Sequence, residues 1–372
     1  MLTVLIKMNV CFKNLEINHK KIKYYQMNIK KLISIFLVVV VTIASVYGYL
    51  IYRKIFSSNT KFAENEMYVK IPTDASYEKV KEIVSPFIED MEKFDLVAEK
   101  KQYKTNVKSG RFLLKKGMNT NDIINSMRQN VPVNLAFNNQ ERLEDFAGRI
   151  ASQLECDSLS VLNAFLDTKF LKENNFTKEN VLSVAIPNSY EFFYNTTAEK
   201  FRDRMAKEYR AFWTEDRIAL AKNQNLTPIQ VSILASIVHK ETVKKDERPK
   251  VAGVYLNRLN RNIKLEADPT VIFAVKKNSN DFTQVIKRVL YKDLTTDSPY
   301  NTYKYFGLPP GPIAMPDISA LESVLKPLKH NYVYFCASVT NFGYHEFAEN
   351  LAQHEVNRQK YVAWISAQGV KR

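Results

Sequence analysis

The sequence predicts an α+β protein: one N-terminal apolar helix able to span a membrane, a small α/β module, and a larger, mostly helical α+β domain. Three observations predict it. Leu32 to Tyr52 is an uncharged apolar run. Residues 66–137 alternate strand-like and helix-like stretches. From residue 138 to 372 the apolar spacing is chiefly helical. The chain has 372 residues, 45% hydrophobic and 25% charged, which suffices for two folded domains beside an anchor.

The apolar run, LISIFLVVVVTIASVYGYLIY, is about the length a helix needs to cross a bilayer. Lys30 and Lys31 precede it; Arg53 and Lys54 follow it. Residues 1–31 hold seven lysines against Glu16 alone, so the N-terminus is expected in the cytoplasm and the bulk of the chain outside it. A cleaved signal peptide is the rival reading, disfavoured by the length of the run and by the lack of a small-x-small cleavage site. Met27 is a second candidate start, which would leave residues 1–26 untranslated.

The formal net charge is +15, which calls for an anionic partner: nucleic acid, lipid headgroups or an acidic wall polymer. With the bulk outside the membrane, nucleic acid drops out. The cysteines, Cys11, Cys156 and Cys336, form no C-x-x-C pair, so neither a thiolate zinc site nor a redox motif is expected. Cys156 and Cys336 are read as small buried hydrophobes, with a bridge between them as the alternative.

Residues 53–65 are polar and read as a linker. Met67 to Ile71 alternates as a strand. Val80, Ile83, Val84 and Phe87 make a helical stripe. Gly110 to Leu114 is a second strand. Thr120 or Asn121 then caps a helix with Ile123, Ile124 and Met127 on its face, and Val131 to Phe137 is a third strand. The size and order of 66–137 suggest a LysM-like module. Beyond it, Leu143, Phe146, Ala147, Ile150 and Leu154 share one helical face, and Phe201 to Leu220 reads as one amphipathic helix.

The most informative stretch is Thr227 to Thr242, TPIQVSILASIVHKET. Thr227 suits an N-cap, Pro228 the first helical position and Gln230 the far side of a capping box. Val231, Leu234, Ile237 and Val238 form the stripe, and Glu241 continues it. A carboxyl group on a buried stripe is costly to ionise, so its pKa should rise toward what a general acid needs. The spacing is equally compatible with a Glu that pairs with a cation or emerges into solvent. Pro249 then opens a helix bearing Val251, Val254, Tyr255 and Leu259, with Asn257 and Arg258 toward its end. Asp268-Pro-Thr270 opens another, with Asp268 expected as its N-cap. The loops Ser298 to Tyr303 and Gly307 to Pro312 combine aromatic, amide and proline residues suited to sugars. Asn331 to Val339 and Gly343 to Phe347 read as strands, and Ala348 to Ala367 as a closing helix.

Three runs together resemble one family, the MltG (YceG-like) endolytic murein transglycosylases: LASIVHKETVKKDERPKVAGVYLNRLNRNIKLEADPTVIFAV, SPYNTYKYFGLPPGPIAMP, and HEF with LAQHEVN. The resemblance is closest over 230–360 and looser over 66–230. It implies a YceG-like catalytic domain over 138–372. It also implies an endolytic lyase that cuts between N-acetylmuramic acid and N-acetylglucosamine of nascent glycan and leaves 1,6-anhydro ends. It places the catalytic Glu in ASIVHKET. Members often carry E-K-E there; His239 takes the first position here, leaving Glu241. Asn257, Asp268, Thr270, Asn301 and Tyr303 fall in matching motifs and are expected to shape the glycan groove, with Glu247 as a weaker candidate. Peptidoglycan strands, the bilayer and peptidoglycan synthases are the expected partners, and no cofactor is expected.

Two other classes compete. A hydrolytic muramidase would need a second carboxylate, Asp268 or Glu266. An inactive wall-binding scaffold would need only the small module. A metal centre is excluded: His239 and Glu241 point about 200° apart on a helix, and there is no H-E-x-x-H.

Overall fold

A computed structural model describes residues 2–137 and 139–367. The chain is mixed helix and sheet and divides into two compact units after Asn130. Each is described by itself.

The first unit opens with helix α1 (Leu2–Phe56). Its section Ile17–Arg53 is long and apolar enough to cross a membrane by length and composition. Strand β1 (Glu66–Ile71) follows, then helices α2 (Tyr77–Val84) and α3 (Met91–Lys100), strand β2 (Gly110–Lys115) and helix α4 (Thr120–Ser126). β1 and β2 pair antiparallel, Glu66 opposite Lys115 and Ile71 opposite Gly110. Val69, Ile71, Phe112 and Leu114 on one face of the pair meet Val80, Val84, Phe94, Ile123 and Ile124 of the helices in a single core. The expected cap at Thr120 or Asn121 is instead Asn119, whose side chain accepts from the Asp122 amide. Thr120 lies in the first turn and is buried, where its hydroxyl accepts from Asn59.

The polar stretch 53–65 is not a free tether. α1 runs on to Phe56, and Ser58 and Thr60 bridge to Asn119 and Ile88. The buried Asn59 amide binds both the backbone N–H and the carbonyl of Asp90. Polarity here satisfies buried backbone groups, a use that composition alone does not separate from solvation.

The second unit begins with strand β3 (Val133–Ala136), followed by helices α5 (Leu143–Ala151), α6 (Ser158–Phe165) and α7 (Thr168–Glu173). Strand β4 (Ser189–Phe192) pairs antiparallel with β3. The third strand read in the small module therefore finds its partner about fifty-six residues on, because Leu135 buries against Tyr190 and Phe201 in this unit's core rather than the first's. Helix α8 (Ala198–Phe212) stops at Trp213, and α9 (Glu215–Asn223) starts afresh with Thr214 as its cap. The single helix expected over Phe201 to Leu220 is thus two, broken by a capping threonine.

Helix α10 (Pro228–Glu241) carries the capping box as expected. The Thr227 hydroxyl accepts from the Gln230 amide and the Gln230 side chain accepts from the Thr227 amide. It is more deeply set than a stripe implies: every residue from Val231 to Val238 is buried. Helices α11 (Arg248–Asn260), α12 (Asp268–Ser279) and α13 (Ile318–Leu325) pack around it in a second core. Strands β5 (Tyr334–Ala337) and β6 (His345–Ala348) form an antiparallel hairpin, and α14 (Leu351–Ala367) closes the unit. The Gly307–Pro312 loop packs Leu308 against the second core and runs on into a tie to α10. Ser236 Oγ accepts from the Ile313 amide at 3.0 Å, and a Cβ on Gly311 would lie 1.9 Å from the Glu179 carbonyl oxygen. Cys156 and Cys336 are free thiols, both half-buried.

Replacing Thr227 with Ala removes one half of the capping box. We expect a loss of about 1 kcal/mol in stability, read from urea unfolding, with the fold unchanged.

Candidate active site

α10 ends at Glu241 because Thr242 turns extended, at φ −139° and ψ 134°. The turn is locked from behind. Buried Arg248 donates to the Thr242 carbonyl at 3.2 Å and to both oxygens of Asp317 at 2.7 and 2.8 Å. Asp317 also caps α13 through the Ala320 amide, and its pKa lies far below the ordinary carboxylate range: burial opposes this, but hydrogen bonds from His239 and Arg248 win. Breaking one partner of such a buried pair is expensive, so the exit of α10 is held stiffly.

Glu241 enters a cleft of about 580 Å³ lined also by Tyr255, Arg258, Asp268, Tyr303 and His345. Tyr255 and Arg258 arrive on α11, Asp268 on α12, Tyr303 on a loop and His345 on β6. Tyr255, buried on α11, donates to Glu241 Oε2 at 3.1 Å. α11 is pinned to the chain before β5 by Asn257, whose amide nitrogen donates to the His330 and Tyr332 carbonyls at 2.8 and 2.9 Å. Arg258 donates to the Lys264 and Leu265 carbonyls and pairs with Glu266. Glu266 sits in the left-handed region at φ 51°, an unusual conformation that these contacts sustain.

Asp268 follows in the first turn of α12. Ala267, not Asp268, is the N-cap, which frees the Asp268 carboxylate to accept from Tyr303 Oη at 2.6 Å. Thr270 and Thr302 share a buried hydroxyl contact at 2.8 Å; Thr270 also donates to the Ala267 carbonyl and Thr302 accepts from the Ala267 amide. Asn301 donates to the Leu294 and Thr296 carbonyls and accepts from the Tyr303 amide. The cleft's far wall is His345 on β6. Its amide and ring Nδ1 bind the two oxygens of buried Glu247 at 2.7 and 2.8 Å.

Burial pushes the Glu241 carboxyl up to about 7; Asp268 and Glu247 add to this, while His345 and the Tyr255 hydrogen bond oppose it. Glu247 goes the other way: burial would raise it, but the hydrogen bonds from His345 hold it below the ordinary carboxylate range. Tyr255 and Tyr303 are driven far above the ordinary phenol range, by burial first and then by their carboxylate partners, and so act as neutral donors. Glu241 is thus shielded and proton-retaining, and Glu241 and Asp268 each accept from a phenol of their own.

A second hollow of about 630 Å³ shares Asp268, Tyr303 and Tyr361 with the cleft and continues it past Arg288 and Tyr291. Together they form a groove rather than a closed pocket. Another cavity, about 450 Å³ and lined by Glu141, Arg142, Lys178 and Glu179, shares no residue with the cleft and contains none of this chemistry. Among the described residues, no cluster of His, Cys, Asp and Glu is arranged to hold a metal ion.

The sequence profile of the YceG-like family matches residues 69–360. This chain belongs to the YceG-like family. It is similar to the endolytic murein transglycosylase of Bacillus subtilis, 28% identical over 329 residues, which is 82% of this chain and 87% of the relative. The endolytic murein transglycosylase of Streptococcus pneumoniae serotype 2 is 27% identical over 302 residues, 72% of this chain; the match spans about half of that longer relative, 53%. A crystal structure of a YceG-like protein from Listeria monocytogenes superposes with a TM-score of 0.53 at 27% identity, covering 79% of this chain and 99% of the other.

Of the residues singled out in this YceG-like sequence, the structure brings Glu241, Asp268 and Tyr303 together in the cleft. Asn257, Thr270 and Asn301 do not line it; they spend their polar atoms on backbone ties that hold its walls. His239 turns away toward Arg248 and Asp317, at 3.3 and 3.4 Å. Tyr255 and His345 were missed as site residues. Tyr255 sat among apolar neighbours on a stripe, and nothing in Gly343 to Phe347 indicates which residue meets Glu247.

Because the folded-state pKa of Glu241 is raised, its ionisation opposes folding: the favourable protonated state is fully present below about 4.5 and lost as pH rises through about 7. Glu241→Gln should match the native protein in stability at pH 4 and exceed it at pH 8, in thermal unfolding at the two pH values. Equal melting at pH 8 would show that the carboxyl is not shielded.

Proposed function

We propose that this chain is a membrane-anchored endolytic murein transglycosylase that uses Glu241 as its single acid/base. The carrying observation is one carboxyl group, shielded at the end of a buried helix and held near neutrality, at the floor of an open groove. The likeness to endolytic murein transglycosylases of two organisms supports the same reading.

The reaction needs one group that first gives and then takes a proton. Protonated Glu241 donates to the glycosidic oxygen between N-acetylmuramic acid and N-acetylglucosamine. The C1–O bond breaks and its electron pair leaves with the oxygen. The resulting carboxylate then accepts the proton of the muramoyl 6-hydroxyl as that oxygen bonds to C1, which closes the 1,6-anhydro ring and restores Glu241. A pKa near the working pH serves both directions. Asp268, braced by Tyr303, sets negative charge beside the developing oxocarbenium ion. Tyr255 fixes the orientation of the acid. A groove continuing past Asp268 and Tyr361 accommodates a strand running through, which suits cleavage within a chain.

The same reading assigns residues 1–31 to the cytoplasm, 32–52 to the bilayer and the remainder to the outer side of the cell membrane, next to newly made wall. Residues 66–137, by size and order, serve as a LysM-like wall-binding module, and residues 138–372 as the catalytic domain. Peptidoglycan synthases are the natural neighbours, since they produce the strands that this reaction would terminate.

Incubation of nascent uncrosslinked glycan with the protein should release fragments one water lighter than hydrolysis products. Glu241→Gln should slow release by about 10²–10⁴-fold. Ordinary reducing ends in the mass spectrum would favour a muramidase with Asp268 as its second carboxylate. Undiminished cleavage by Glu241→Gln would sink the assignment altogether.

A further inference from the structure

His345 lines the same cleft as the acid and is held by Glu247, yet the scheme above gives the pair no part. Its construction is specific. The two residues stand 98 positions apart, and both oxygens of Glu247 are committed to His345, one to the backbone amide and one to ring Nδ1. Glu247 is 6% exposed, so the carboxylate is withdrawn from solvent to serve the ring. A carboxylate only accepts, so Nδ1 carries the proton in this pair and Nε2 is the ring nitrogen that the pair leaves unused. Phe335 packs edge-on against the imidazole at 5.0 Å and restricts its rotation.

We propose that His345, oriented by Glu247, is the electrostatic counterpart of Glu241: a positioning residue whose positive charge stabilises the carboxylate that Glu241 becomes after proton delivery. This rests on Glu241 being the acid/base. In the first step Glu241 changes from neutral to anionic in a shielded site, where an unopposed charge is costly. An imidazolium across the cleft lowers that cost without taking the proton itself. When the 6-hydroxyl proton returns to Glu241, the pair is unchanged and ready for the next cycle.

The other charges about the ring do not replace this role. Asp268 at the start of α12 and Glu247 itself are acidic and push the Glu241 proton affinity up, whereas His345 draws it down. Arg258 of α11 is already paired with Glu266, and on α14 Glu355 is paired with Arg358. His354 stacks on Tyr334 at 5.0 Å, and Cys336 of β5 is a half-buried thiol raised by burial. Among the described residues of the cleft, His345 is the imidazole held by a buried carboxylate.

The test is the pH profile of kcat/KM for glycan cleavage, with melting temperatures measured in parallel, for the full chain and the variants His345→Gln and His345→Lys. Without the imidazolium Glu241 keeps its proton to higher pH. The alkaline limb of His345→Gln should therefore move up by about one pH unit, with kcat down roughly tenfold and KM little changed. His345→Lys, which restores a fixed charge, should bring the limb back to the native position or below it. A His345→Gln limb that coincides with the native one overturns the proposal. So does a His345→Lys limb displaced upward, which decides the matter should the Gln variant fail to fold. Glu241→Gln, assayed alongside, separates the two layers. If it is inactive and the limb of His345→Gln does not move, the role of His345 fails while that of Glu241 stands. If it remains active, the acid/base assignment itself fails.

Discussion

The site depends on a carboxyl group placed where water cannot fully reach it. Glu241 is the last residue of a helix buried from Val231 to Val238, so the backbone delivers the acid from a rigid interior to an open cleft. Shielding makes the charged form costly, which keeps the proton on the group near neutral pH. Everything else in the cleft acts on that one equilibrium or holds it in place.

The supports divide by function. Arg248 and Asp317 clamp the turn after Glu241 from the back. Asn257, Arg258, Thr270, Thr302 and Asn301 spend their hydrogen bonds on carbonyls and amides, so α11, the start of α12 and the loop to Tyr303 keep fixed positions. Around Glu241 in the cleft, Tyr255, Asp268, Tyr303 and His345 each have a partner that orients them. A groove whose walls are tied by so many backbone hydrogen bonds is preorganised. Little rearrangement is needed when charge develops, which is where such sites gain rate.

The first unit obeys the same economy on a smaller scale. Its two-stranded sheet would be marginal alone and is stabilised by burying one face against three helices. Asn59 joins the stretch after α1 to both Asp90 and Thr120, so the chain leaving the apolar helix passes directly into folded structure. An anchored enzyme acting on a polymer close to the membrane gains from a short, ordered exit, because reach is then set by the fold instead of by a floppy tether.

Much was legible from local pattern. The uncharged run of Leu32 to Tyr52, the capping box at Thr227 and Gln230, and the placement of Glu241 on the stripe each rest on spacing of a few residues, and the helix period converts spacing into facing directly. The resemblance to YceG-like proteins narrowed the acid to Glu241 once His239 filled the neighbouring position. What local pattern did not contain was the use of each polar side chain. Asn301 and Tyr303 are two residues apart in one loop, yet one ties backbone and the other reaches Asp268. Glu247 meets His345 only because β6 folds back beside the start of α11. The sequence alone determined the uncharged apolar run, the capped start of α10 and the place of Glu241 on its stripe, since these follow from periodicity and capping, while the choice of Glu241 as the acid rested on the family resemblance. The tertiary structure decided which residues face the cleft and which hold its walls, because a hydrogen bond depends on where distant segments meet and not on the residue type that makes it.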